Sequence, residues 1–90
     1  MKHLDLTISG KVQGVFFRAS TKAVADQLGI KGTVRNQADG TVFIEAEGGA
    51  YALESFLEWC KEGPDNAVVE KIIQSESEPK NYRNFEILKK

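Results

Sequence analysis

The sequence holds a single cysteine, Cys60, and a single histidine, His3. One cysteine excludes an intrachain disulfide and a C-x-x-C redox or metal motif, which leaves core packing as its expected role. One histidine, near a terminus and without partners at ligand spacing, is expected on the surface or at a strand end, and no spaced His/Asp/Glu set stands out as a catalytic metal site. Charge of one sign is also missing: the formal net charge is -1 and the pI about 5.8, so the broad basic field of a non-specific nucleic-acid binder is absent. The first residues alternate polar and apolar instead of forming the apolar block of a signal peptide or the roughly 20 apolar residues of a membrane span. No membrane contact and a cytoplasmic location are therefore expected.

Repeats, linkers and low-complexity segments are lacking as well. The 90 residues, 41% hydrophobic and 28% charged, form one expected domain over 1–90, below the usual mode of about 100–150 residues. Leu4, Leu6 and Ile8 alternate with polar residues, the period-2 pattern of a strand over 4–9. Phe17, Thr21, Val24, Ala25 and Leu28 recur at helical spacing up to a Gly29 cap. Strands are expected over 30–36 and 41–47, joined by the Asp39-Gly40 hairpin signal. Leu53, Phe56, Leu57 and Cys60 mark a second helix that stops near Gly63-Pro64, with Trp59 expected to cover the edge of the core. β-Branched residues from Val68 to Gln74 and a short run from Phe85 to Leu88 complete the pattern. This order, βαββαβ plus a short C-terminal strand, predicts an α+β ferredoxin-like (split βαβ) sandwich in which two helices cover one face of an antiparallel sheet.

Between the first strand and the first helix lies Gly10-Lys11-Val12-Gln13-Gly14-Val15-Phe16-Phe17-Arg18. Unpaired N–H groups and the helix dipole converge there, which makes a natural anion cradle. Gly14 permits turn dihedrals and close approach of the backbone, and Arg18 adds a planar cation in the first helical turn. A cation there opposes the macrodipole by about 0.3–1 kcal/mol, a cost that a bound anion would remove. From the spacing alone, a solvated arginine beside a tight turn explains Arg18 equally well. The loop is neither a Walker A motif nor G-x-G-x-x-G, so nucleotide triphosphates and dinucleotides are not expected. Asn36, at the end of the second strand, reads on its own as a turn-capping asparagine.

G-K-V-Q-G-V-F-F-R, followed by G-T-V-R-N-Q-A-D-G-T-V and, further on, by Gly63-Pro64, Ala67-Val68 and Phe85-Glu86-Ile87, resembles the acylphosphatases over essentially the whole chain. The resemblance implies a metal-free, cofactor-free hydrolase that cleaves a small-molecule acyl phosphate to a carboxylate and inorganic phosphate. It implies that Arg18 and the backbone amides of Gln13, Gly14, Val15, Phe16, Phe17 and Arg18 bind the phosphate, and that Asn36 positions the attacking water. Thr33 departs from the family pattern, which often has tryptophan there, and altered packing beside the site is the expected consequence. A monomer is expected, the C-terminal lysines discouraging edge-to-edge association. Two other readings share the element order: a non-catalytic phosphate-binding module, which has no need of Asn36, and an RRM-like RNA binder, against which the acidic pI and the missing RNP aromatics count.

Overall fold

The computed structural model describes residues 1–89. β1 (Lys2–Lys11) is followed by α1 (Phe17–Leu28), β2 (Lys31–Asn36), β3 (Val42–Gly48), α2 (Ala50–Glu62), β4 (Val68–Ser77) and β5 (Phe85–Leu88). The sheet order is β4-β1-β3-β2-β5. β1 pairs antiparallel with both β3 and β4, and β2 pairs antiparallel with β3. The predicted βαββαβ sandwich is thus realised, and β5 extends it by pairing parallel to β2, making the sheet mixed.

The alternating residues explain which face is covered. Leu6, Ile8, Val34, Val42, Ile44 and Ala46 are fully buried on the helix side, joined by Phe17 and Ala25 of α1 and by Leu53, Phe56 and Cys60 of α2. Register keeps this set together, because Leu6 lies opposite Ile44 and Ile8 opposite Val42. Each buried Val, Leu, Ile or Phe of this set contributes about 1.5–3 kcal/mol by leaving water. Phe56 meets Phe85 edge-on at 6.1 Å, and the Phe17 ring lies 5.7 Å from that of Trp59, which is half-buried at the margin of the core as expected. Burial pushes the Cys60 thiol up to about 12, so it stays protonated and inert in the core.

The opposite face carries an ion network that corrects the expectation for His3. His3 is fully buried; its Nδ1 lies 2.7 Å from Glu47 and its Nε2 2.8 Å from Asp5. The segment between β4 and β5 folds over this face. Its Lys80 and Tyr82 N–H groups donate to Glu47, while Lys80 Nζ and the Tyr82 hydroxyl donate to Glu45. Strand pairing brings residues more than forty positions apart side by side, so His3, Asp5 and Glu45 place ligand-type atoms within 4.8 Å of one another, a grouping that linear spacing did not reveal. Both imidazole nitrogens and Glu45 already have partners, and the cluster serves as the anchor of the covering segment. Thr33 is buried on this face opposite Glu45.

Burial disfavours a charged His3, but hydrogen bonds to Glu47 and Asp5 and their charges outweigh it, and its pKa rises above the usual 6.5. Burial likewise disfavours the Glu47 carboxylate. The Lys80 N–H, His3 and the Tyr82 N–H outweigh that too, and its pKa falls below the usual 4.5. The His3 contribution is therefore complete below the unfolded-state pKa of about 6.5 and is lost as pH rises through the folded value. The Glu47 contribution is complete above its unfolded value and is lost as pH falls through the lowered one. Urea midpoints measured from roughly pH 5 to 9 should decline on the alkaline side. In His3→Gln that decline should disappear, and overall stability should fall by about 3 kcal/mol because Glu47 loses its buried partner. An alkaline decline that persists unchanged in His3→Gln would contradict this role.

Candidate active site

The loop from Val12 to Phe17 is pinned at alternate points. Val12, Val15 and Phe17 are buried, whereas Gly14 and Phe16 face outward. Gly14 has φ 74, which only glycine adopts without strain, and an added Cβ there would meet nothing within 4 Å. The dihedral, not crowding, demands glycine, and the space beside it is open. Phe16, also left-handed at φ 62, is the N-cap of α1; no side chain among the described residues caps the helix, and its first turn holds no acidic residue. The first-turn amides thus keep their donors directed at one point, with the dipole uncompensated.

Gln13 ties the loop to the neighbouring hairpin. Its Nε2 donates to the carbonyls of Gln37 at 2.8 Å and Thr41 at 2.9 Å. Inside the hairpin, Gln37 N–H donates to Thr41 O, Gly40 N–H to Gln37 O, and both the N–H and hydroxyl of Thr41 to Asp39. Asn36, immediately before this turn, takes no part: its carboxamide has no hydrogen-bond partner among the described residues. The capping work that a lone asparagine suggested is done by Gln13, Gln37, Asp39 and Thr41.

Gly14, Phe16, Phe17 and Arg18 share one cleft of about 580 Å³ with Asn36 from β2 and with Ile87 and Lys89 from the C-terminal end. The structure therefore brings Arg18 and Asn36, 18 residues apart in sequence, to a common space. Of the loop residues expected at the site, the Val15 side chain lies in the core and the Gln13 side chain in the hairpin clamp, so only their backbone is available to a ligand. Arg18 is half-buried, and its Nη1 donates to the Leu88 carbonyl at 3.2 Å. Lys22, one turn on, donates to the Phe85 carbonyl at 2.9 Å. β5 thus steadies one arm of the guanidinium and leaves the other nitrogens for a ligand. Sequence reasoning missed this support, as well as Ile87 and Lys89, because it depends on the parallel β2–β5 pairing. Thr21, one helical turn after Phe17, is buried and donates its hydroxyl to Phe17 O at 2.7 Å inside the helix.

Two helices on one face of a five-stranded sheet define the class: a ferredoxin-like α+β domain, with a cleft at the first helix N-terminus lined by Arg18 and Lys89. The sequence model of the acylphosphatase family matches residues 4–87. The chain is 49% identical to the acylphosphatase of Ligilactobacillus salivarius over 89 residues, covering 97% of this chain and 98% of that protein. It is 47% identical to that of Thermotoga maritima over 87 residues, covering 97% of each. The crystal structure of acylphosphatase from Bacillus subtilis superposes with a TM-score of 0.96 at 37% identity, covering 98% of this chain and 99% of that one. The chain belongs to the acylphosphatase family, and its activity is accordingly the hydrolysis of acyl phosphates.

Proposed function

We propose that the cleft performs this hydrolysis without a metal, by holding the phosphoryl group and aiming one water. The observation that carries the reading is the shared cleft of Arg18, Asn36 and the α1 N-terminus. Phosphoryl oxygens lie on the backbone amides of the Gln13 to Arg18 loop, with the free nitrogens of Arg18 adding charge-assisted bonds of about 1.5–3 kcal/mol each. The Asn36 carboxamide accepts a hydrogen bond from the water and turns its lone pair toward phosphorus. As the water oxygen bonds to phosphorus, the bond from phosphorus to the acyl oxygen breaks, the carboxylate leaves with the electron pair, and the water's proton passes to a phosphoryl oxygen.

The leaving group explains why so few residues suffice. Its conjugate acid has a pKa of about 4, so it departs without protonation and no general acid is required. Charge on the equatorial oxygens is met by donors already in place, the main source of catalysis in such transfers. The side chains lining the cleft among the described residues include no Asp, Glu, His or Cys, a poor donor set for a divalent ion. The protein is proposed to act as a cytoplasmic monomer on a small-molecule acyl phosphate, without nucleic acid, releasing inorganic phosphate. Phosphate release from benzoyl phosphate should be unchanged after exhaustive chelation. Activity that vanishes on chelation and returns with a divalent cation would overturn the metal-free mechanism.

A further inference from the structure

The cleft extends beyond the loop amides and Arg18, and its remaining wall is apolar where solvent would favour polar residues. Phe16 is 80% exposed and Ile87 40% exposed, two of the large hydrophobic side chains that the fold leaves in water, and both line this cleft. Phe16 violates three local preferences at once. It holds φ 62, a left-handed conformation that glycine and asparagine adopt more easily. It occupies the N-cap of α1, where Ser, Thr, Asp, Asn or Gly is favoured. It also exposes a large ring that neither the core nor another aromatic among the described residues covers. Its backbone has a structural task, since the Phe16 carbonyl accepts the Ser20 N–H at 3.0 Å, but asparagine or glycine would perform that task with less strain. Local strain and exposed apolar area that coincide at a cleft point to a ligand.

The charges narrow the ligand. Arg18 and Lys89 line the cleft, and no carboxylate does among the described residues, so a cationic acyl group would find no partner. From these observations we infer that Phe16 and Ile87 form an acyl-binding shelf that selects acyl phosphates with an uncharged aromatic or branched aliphatic acyl group. The inference rests on the hydrolytic reading of the cleft. The phosphoryl group lies on the loop amides, and the acyl group lies along the Phe16 ring and the Ile87 side chain.

The test compares kcat/KM for benzoyl, acetyl and succinyl phosphate in the wild type, Phe16→Asn and Ile87→Ser. The readout is the ratio between substrates within each protein, which a disturbance of the phosphoryl cradle common to all three leaves unchanged. The wild type should prefer benzoyl over acetyl phosphate by about 10-fold or more, as expected when apolar bulk enters an apolar pocket. Phe16→Asn should lower that ratio to within about 2- to 3-fold, mainly through KM, and Ile87→Ser should lower it part of the way. A wild-type ratio near one, a ratio that survives both substitutions, or a preference for the carboxylate-bearing succinyl phosphate would overturn the shelf. Failure of the wild type to hydrolyse any of the three would overturn the hydrolytic reading itself, and the shelf with it.

Discussion

Replacing Arg18 with alanine is expected to remove measurable phosphate binding and to lower kcat/KM for an acyl phosphate by about 10²-fold or more, the usual loss when a preorganised charge-stabilising donor is deleted. The same substitution should barely change stability. Arg18 has no carboxylate partner among the described residues, and its one hydrogen bond is to the Leu88 carbonyl. Losing that bond costs about 1 kcal/mol, while removing a cation from a helix N-terminus returns about 0.3–1 kcal/mol. A thermal midpoint within a few degrees of wild type beside a collapsed kcat/KM would mark a residue retained for chemistry. Arg18→Lys should fall between, because the ammonium restores charge but not the planar two-pronged contact. Retained activity in Arg18→Ala would remove the residue from the mechanism.

Asn36→Ala is expected to separate catalysis from anion binding. Its carboxamide has no partner among the described residues, while Gln13, Gln37 and Thr41 secure the adjacent turn, so the substitution should leave the hairpin intact. kcat should fall by about 10²-fold, in proportion to the loss of a positioned nucleophile, with the inhibition constant of inorganic phosphate close to wild type. Steady-state kinetics with phosphate as competitive inhibitor measures both quantities in one series. A parallel loss of phosphate affinity would place Asn36 in the anion cradle instead.

Much of this architecture was legible because side-chain periodicity and burial agree. The alternation of Leu4, Leu6 and Ile8 marked β1, whose Leu6 and Ile8 are buried toward the helices, and Val42, Ile44 and Ala46 of β3 are buried on the same side. The strand ends were less visible. β1 runs to Lys2 and Lys11, and β4 to Ser77, because the backbone ladders of β1 with β3 and β4 continue past the apolar residues. β5 was legible as a strand but not as a parallel partner of β2, and hence the support of Arg18 by Leu88 was hidden.

The candidate site was legible as a local motif around Gly14 and Arg18, whereas the convergence of Asn36 was implied only by family resemblance. On the other face of β3, Glu45 and Glu47 alternate with Ile44 and Ala46. They are buried because the segment around Lys80 and Tyr82 crosses above them, a tertiary event with no periodic signature. His3 became a buried partner for the same reason.

In the proposed mechanism, water held beside Asn36 attacks phosphorus in a phosphoryl group held by the loop and Arg18. Hydrolysis of benzoyl phosphate in water labelled with heavy oxygen, with both products analysed by mass spectrometry, tests it most directly. The label should appear in inorganic phosphate, and the benzoate should be unlabelled. Label in the benzoate would mean attack at the carbonyl carbon, and would contradict a cleft built to position water against phosphorus.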